Sequence, residues 1–403
     1  MIVVAGGTYW EKCNHPHWNE FYGSAGRAAA LLANLGAEVQ LATFSNIDKN
    51  RYLDALCSAF GFSLQVGSPE ASNILFKYHN PIAPPLISPP RHLLKASAAV
   101  FAEGDSILRF GALEGTVIAN GKRVVYDPQD LECPEHFHAN GSRAEELAVV
   151  CNLSEGKLLT QQSSAEAVAL ALLAKEGTSV AVIKLGAGGV LVAEPGGKFS
   201  RVPAHRTESV FSIGSGDIFS ATFAYFWATQ GSSAVEAAAQ ASRFTAFYCG
   251  NQMIPPSRDA VDQFVQPLPT FSATGDMARK ARVYLAGPFF TMGQVWVIEQ
   301  AKDAIEALGM EVFSPYHDVG IGAAEDVVSQ DVEELEKADF VYAVVDGLDA
   351  GTLFEIGYAV KRGIPVIAYQ QNEGEEAMKM LVGTGVDVVS DFATSIYKLS
   401  WLK

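Results

Sequence analysis

Cysteine is scarce in this 403-residue chain. The five present, Cys13, Cys57, Cys133, Cys151 and Cys249, form no CxxC pair, and their odd number does not suit a disulfide framework. That usage points to a reducing, cytoplasmic setting. Basic residues are also few: 29 Lys and Arg against 45 Asp and Glu leave a formal charge of -16. A surface of that sign repels a phosphate backbone and excludes nucleic acid as a partner class. No apolar run reaches the ~20 residues that cross a bilayer, so no membrane partner is expected. Met1–Gly7 lacks a basic region ahead of its apolar residues and reads as a buried strand entering a glycine turn, not as a signal peptide. Charged residues make up only 18% and apolar ones 49%, which excludes a disordered chain.

Segments of strand and helix character alternate along most of the length, the pattern of a largely parallel sheet covered on both faces. Ile2–Val4, Glu38–Thr43, Arg123–Asp127, Leu147–Asn152 and Val180–Leu185 read as strands, and Ala25–Leu35 and Arg51–Phe60 as helices stopped by Gly36 and Gly61. Pro81–Pro90 holds five prolines and cannot be a central strand; it reads as an irregular segment beside a pocket mouth or a surface loop. Scattered Pro, Ser, Thr and Gly over Gln263–Met277 read as a linker, and a fresh alternation opens at Ala281. The expected organisation is a domain over 1–268, a linker over 269–280 and a smaller α/β domain over 281–403.

Two places carry chemistry. In Gly214-Ser215-Gly216-Asp217 the glycines permit a tight turn into a helix, whose first N–H groups form an anion site. Asp217 inside that site is placed to take a proton from a hydroxyl while the amides stabilise a transferring phosphoryl group. The same residues also fit an ordinary capped glycine turn. Asn152-Leu-Ser-Glu155 follows a strand, where polar groups hold Mg²⁺ through water. Lys184-Leu-Gly186-Ala-Gly-Gly189 is a strand ending in a flexible turn suited to a nucleotide. Tyr22 to Arg27, ahead of the first helix, is placed to shape a sugar site with Gly23 and Arg27, and His15 and His17, with Glu11 close in sequence, are candidates to line the acceptor pocket.

The second place is Asp349-Ala-Gly351-Thr352-Leu-Phe-Glu355, a turn into a helix with Glu355 near its first turn, where the helix dipole favours the ionised carboxylate. An ionised glutamate attacks an anomeric carbon while a neighbouring aspartate handles the leaving group. Asp331 lies on the preceding helix. Tyr284 stands on the strand that ends in Gly287-Pro288, the edge where open α/β sheets bind ligands. An acidic, capped helix start accounts for the same carboxylates without chemistry.

On Gly23–Gly36, Asp127-Pro128, Asn152–Glu155, Lys184–Gly189 and Gly214–Asp217, in that order and spacing, residues 1 to about 265 resemble the ribokinase-like carbohydrate kinases of the phosphofructokinase-B type. The resemblance implies a three-layer α/β/α fold and transfer of the ATP γ-phosphoryl to a sugar or nucleoside hydroxyl. Asp217 would be the base, Gly214, Ser215 and Gly216 the anion hole, and Glu155 part of the Mg²⁺–phosphate network. Two positions depart from the family: Phe211 stands where an Asp is usual, and Arg27 where an Asn is usual. Arg27 favours an acceptor carrying carboxylate or phosphate. On Tyr284–Phe290, Ser314-Pro315, Asp331 and Asp349–Ala359, the second region is similar to the nucleoside 2-deoxyribosyltransferases and their nucleotide N-hydrolase relatives. That implies a Rossmann-like (flavodoxin-like) parallel sheet, Glu355 as nucleophile, Asp349 and Asp331 handling the base, and Tyr284 positioning Glu355.

Together these readings describe a bifunctional enzyme of nucleoside metabolism using ATP and Mg²⁺. The alternatives are a binding sensor with a degenerate kinase site, or a nucleoside 5′-phosphate N-hydrolase with a non-catalytic kinase-like domain. The apolar stretches Met378–Val389 and Phe392–Leu402 lead to the expectation of a homo-oligomer, a dimer first, held by the second domain.

Overall fold

Continuous rather than alternating apolar runs build the first sheet, because parallel strands are covered on both faces. Ile2–Gly6 is buried along its whole length. Neighbouring side chains of one strand feed different cores: Val4, Leu108, Ala148 and Val150 face one, while Val3, Ile107, Val149 and Cys151 face the other. The structure is a computed structural model and describes residues 1–69, 72–175, 177–272, 280–320, 322 and 324–402. Its packing divides the chain into two units, one of residues 1–207 and 211–273, the other of residues 208–210 and 274–403.

The first unit carries a nine-stranded sheet among the described residues. Its strands lie side by side in the order Lys198–Val202, Val190–Glu194, Val180–Lys184, Arg143–Asn152, Gly115–Asp127, Ser97–Phe110, Ile2–Gly6, Val39–Ser45 and Ser63–Pro69. All neighbours are parallel except the two hairpin pairings at the Lys198 edge. Helices Gly23–Asn34, Ser215–Ala224 and Ala234–Asn251 cover one face; Leu153–Thr160 and Ala165–Lys175 cover the other. This is the expected three-layer α/β/α arrangement. Alanines 25, 28, 29 and 30, all fully buried, let helix Gly23–Asn34 lie close to helix Ser215–Ala224.

The sequence pattern does not show a small second sheet, in the order Trp18–Phe21, Trp10–Cys13, Leu75–Tyr78 and Leu86–Ser88. Its strands are three or four residues long and mix polar with apolar side chains, too short for a periodic signal. The proline-rich segment supplies its edge strand. The stretch 263–277 is not all linker: helix Arg258–Val265 runs into it, and Thr270–Phe271 pairs with Ala204–His205. Most of the remaining linker, 273–279, lies outside the described residues.

The second unit holds five parallel strands in the order Glu311–Phe313, Arg282–Ala286, Phe340–Val344, Val366–Tyr369 and Asp387–Val389. This is the flavodoxin-like order 2-1-3-4-5. The terminal segment corrects the reason given for an oligomer. Helix Phe392–Ser400 packs on strand Val366–Tyr369 of its own unit. It buries Phe392, Ile396 and Leu399 there, and the Tyr342 hydroxyl bonds the Ser395 hydroxyl at 2.7 Å.

Candidate active sites

Helix Ser215–Ala224 opens from Gly214, whose φ of 79° is left-handed and suits glycine. A cleft of about 780 Å³ lies at this opening. Gly214, Gly216 and Asp217 form part of its wall with Lys184, Asp127, Asn152, Glu155 and Gln129, and Tyr9, Tyr78, Pro81 and Pro85 form an aromatic and proline side. The structure therefore brings Asp217, Lys184, Asn152, Glu155 and Glu11 together. Gly186, Gly189, Gly23 and Arg27 are not among the lining residues. Two of them serve the backbone: a Cβ on Gly23 would stand 2.8 Å from Thr8 Cα, and one on Gly189 2.2 Å from the Val202 carbonyl. Ser215 N–H donates to the Ser212 carbonyl at 3.0 Å and is not presented to a ligand.

Arg27 is where the expectation and the structure part. It projects from the inner face of helix Gly23–Asn34 and is 1% exposed, so it faces no acceptor. A buried guanidinium must be paired. Its Nη2 donates to Glu11 Oε2 and its Nη1 to Asp217 Oδ2, both at 2.5 Å. A Cβ on Gly214 would stand 2.4 Å from the guanidinium carbon, so the group lies flat against the glycine that starts the helix. Burial opposes the Arg27 charge, but Glu11, Tyr248 and Asp217 around it more than offset that and hold it well above the usual range. Burial raises the Glu11 carboxyl above its ordinary value, with Arg27 pulling the other way.

The other oxygen of Asp217 is also taken. Gln129 Nε2 donates to Oδ1 at 2.5 Å, and Gln129 Oε1 accepts from the Ser24 hydroxyl. That hydroxyl bonds Tyr9 Oη at 2.8 Å, completing a chain from Tyr9 to Asp217. Gln129 adopts a left-handed φ of 48°, a conformation that costs a non-glycine residue energy and gathers at functional sites. Its neighbour Asp130 is held by two bonds from Arg91, at 2.9 and 3.0 Å. Sequence reasoning missed Gln129 and Tyr9, and named Ser24 only as part of the segment ahead of the first helix. The signal available was Asp127-Pro128-Gln129 at the carboxyl end of a parallel strand.

At the far side of the cleft, Lys184 Nζ meets Asp127 Oδ2 at 2.7 Å and stands 3.4 Å from where a Gly216 Cβ would be. Ser220 donates to the same Asp127 oxygen at 2.6 Å, while Asp127 Oδ1 is buried without a hydrogen-bond partner. A lysine beside an N-terminal glycine suits a phosphate group. Asn152 and Glu155 form a reciprocal capping box on helix Leu153–Thr160. Burial, then the Asp127 charge, push the Glu155 carboxyl up toward its neutral form. Burial raises the Asp127 carboxyl in the same sense, with Lys184 pulling the other way. No cluster of three or more metal-ligating side chains occurs among the described residues. Phe211 belongs to the core, 1% exposed and packed edge-on against Trp18.

In the second unit, Tyr284 Oη donates to Glu355 Oε1 at 2.6 Å from strand Arg282–Ala286 to helix Ala350–Arg362. The helix starts at Ala350, so Glu355 lies in its second turn, beyond the strong part of the dipole. The expectation of dipole support for its ionised form is corrected: burial pushes its carboxyl up to about 7, with Asp331 and Asp349 adding to the rise and the Tyr284 bond opposing it. Asp331 is itself raised by burial, and its Oδ1 has no hydrogen-bond partner. Asp349 caps the helix, its Oδ2 accepting from Thr352 N at 2.8 Å and Thr352 Oγ1 at 3.0 Å. Thr352 is buried in that cap. Gly287 is needed for packing, since a Cβ there would stand 2.6 Å from Ile298 Cδ1; Pro288 follows it at the strand end.

Comparison with known proteins agrees with this division. Residues 143–253 match the sequence model of the pfkB family carbohydrate kinases. Residues 283–389 match that of the nucleoside 2-deoxyribosyltransferases. An uncharacterised protein of Ureaplasma parvum serovar 3 is 26% identical over 98 residues, which are 21% of this chain and 62% of that protein. The chain thus spans less than two thirds of that relative. Solved structures to which the chain is similar include a pyrophosphate-dependent kinase of the ribokinase family complexed with a pyrophosphate analogue and myo-inositol (14% identity, TM-score 0.47, 66% of this chain and 100% of that one). Another is fructokinase from Vibrio cholerae O395 with fructose, ADP and calcium (15%, 0.48, 66% and 98%). A third is phosphofructokinase-2 from Escherichia coli with potassium (13%, 0.47, 66% and 99%). The chain joins a region that matches the pfkB carbohydrate kinases to one that matches the nucleoside 2-deoxyribosyltransferases.

Proposed function

We propose that the protein is an enzyme of nucleoside chemistry whose second unit cleaves or transfers at an N-glycosidic bond. The observation that carries this reading is the 2.6 Å bond from Tyr284 to Glu355, in a setting where a carboxyl titrates near neutrality. Glu355 attacks the anomeric carbon. The glycosidic bond breaks, its electron pair leaves with the base, and Asp331 supplies the proton the departing base takes up. Water or a second base then releases the glycosyl group from Glu355. Tyr284 leaves one Glu355 oxygen for attack by holding the other. A 2-fluoro-sugar nucleoside tests this: trapping is expected to place the sugar mass on the peptide containing Glu355, and an adduct elsewhere removes Glu355 from the chemistry.

The first unit, on this reading, binds a sugar, nucleoside or nucleotide in a cleft laid out as a phosphotransfer centre. When bound, ATP with Mg²⁺ would supply the phosphoryl group and screen its charge there. Lys184 and the backbone at Gly216 would hold phosphate, Asp127 and Glu155 lie on the side of the cation, and Asp217 is the residue placed for the hydroxyl proton. A second reading, a unit that holds its ligand without turnover, is favoured by the Arg27–Asp217 pair. The protein acts in the cytoplasm on small molecules. Its oligomeric state is tested by light scattering; helix Phe392–Ser400, packed on its own sheet, gives the dimer no support.

A further inference from the structure

Asp217 carries a structural contradiction. It sits where a base must meet a hydroxyl, yet both of its oxygens are bonded to the protein. Oδ2 takes Arg27 Nη1 and Oδ1 takes Gln129 Nε2, each at 2.5 Å. A general base acts on a proton within hydrogen-bond reach, through a lone pair open to the substrate. Arg27 takes the Oδ2 side, and its guanidinium fills the space against Gly214. It is anchored at its other end by Glu11, and its plane lies on Gly214, two residues ahead of the Gly216 backbone that would hold a transferring phosphoryl group.

The anchoring makes the pair difficult to open. Moving Arg27 off Asp217 would leave two buried carboxylates, Glu11 at 3% and Asp217 at 5% exposure, without their shared counter-charge. A neutral polyol or nucleoside has no charge with which to replace it. Gln129 holds the Oδ1 side, its own carbonyl oxygen held in turn by the Ser24 hydroxyl.

We propose that Arg27 is a built-in lock on the phosphotransfer centre of the first unit: it holds Asp217 as a salt-bridge partner, so the unit binds its ligand in the cleft without phosphorylating it. The inference rests on the reading of Gly214–Asp217 as such a centre. It assigns the block to one side chain, and therefore makes the activity recoverable. Once Arg27 is removed, Asp217 Oδ2 is free to receive the acceptor proton while the acceptor oxygen bonds the γ-phosphorus and ADP leaves.

The test uses the full chain as wild type, Arg27→Asn and Arg27→Lys. Lysine keeps the charge but, as a point donor on a single stem, cannot bridge Glu11 and Asp217 as the guanidinium fork does. It guards against misfolding of the Asn variant. Thermal melting establishes folding, calorimetry measures binding of ATP–Mg²⁺ and of ribose, fructose and adenosine, and mass spectrometry measures phosphate gain by those three acceptors. The expected result is ATP binding in all three proteins, little transfer by wild type, and a rise on the order of 10²-fold in Arg27→Asn, the scale of a restored general base. Acceptor binding tightens in the same variant, because a carboxylate oxygen becomes available to a hydroxyl. Wild type transferring as fast as the folded variants would overturn the proposal. So would folded, ATP-binding variants that transfer no more than wild type, since the block would then lie elsewhere. If none of the three binds ATP, the reading of the centre itself fails and the lock with it.

Discussion

Asp217 and Glu355 both stand near the start of a helix at a glycine-containing turn, and their surroundings differ in one decisive respect. Asp217 is met by a cation and an amide, one on each oxygen. Glu355 is met by a phenol on one oxygen and by other carboxylates nearby. The Asp217 carboxylate is engaged by a buried guanidinium that is itself anchored on Glu11. A carboxyl in partly apolar surroundings, beside Asp331 and Asp349, is held near its titration point, where enzymes tune groups that must react. The two motifs look equally complete in the sequence; in the structure a protein donor meets each oxygen of Asp217, and Tyr284 meets one oxygen of Glu355.

The comparison can be broken most directly in the second unit. Deleting the chain from Phe392 onward removes Phe392, Ile396 and Leu399 from that core, so release of free base is expected to disappear with the unit's cooperative melting transition. Loss of association with melting unchanged would return the tail to an interface role. Glu355→Ala in the full chain is expected to lower base release by on the order of 10³-fold or more, the scale of removing a nucleophile. Retained turnover in that variant would leave the site with no special carboxylate.

Tyr284→Phe is subtler. It removes a charged hydrogen bond worth about 1.5–3 kcal/mol, an expected loss of roughly 10- to 100-fold in rate. Because the Tyr284 bond lowers the Glu355 value, the rising limb of the pH–rate profile is expected near 7 in wild type and at higher pH in the variant. A stability effect follows with the opposite sense. A carboxyl whose folded value is raised favours the fold at pH below its ordinary value of 4.5, and this is lost progressively as pH rises toward 7. Glu355→Gln is expected to flatten that part of the stability curve, and an unchanged slope would mean the group is not perturbed. The smallest effect is expected at Gln129. Its replacement by Ala removes one donor to Asp217 but leaves Arg27 in place, lowering stability by about 1–2 kcal/mol without releasing phosphotransfer. A strong gain of transfer there would make Gln129, not Arg27, the closing group.

The parallel sheets, their helical layers and the two carboxylate motifs were legible because each is a local pattern: an apolar run, a glycine turn, a fixed Asp-to-Glu spacing. The small sheet over the cleft was not, since its strands are too short to show a period. Arg27 stood out as a departure, but its direction did not. A charge on an alanine-rich helix reads as substrate-facing until burial shows it turned inward toward Glu11 and Asp217. Gln129 and Ser24 join that network from positions 88 and 193 residues away from Asp217 in the chain, a proximity that only the folded sheet creates. Asp349 was identified correctly as acidic and near the turn, yet its measurable bonds are those of a helix cap.

One measurement addresses the contrast between the two sites as a whole. Wild-type protein is incubated with ATP–Mg²⁺ and a panel of nucleosides and nucleoside 5′-phosphates, and each mixture is read by mass spectrometry for free base and for added phosphate. The expected result is free base from at least one substrate, dependent on Glu355 and independent of ATP, with little phosphate gain by any of them. Phosphate gain without release of base would contradict the account, placing the working site at Asp217 and the silent one at Glu355.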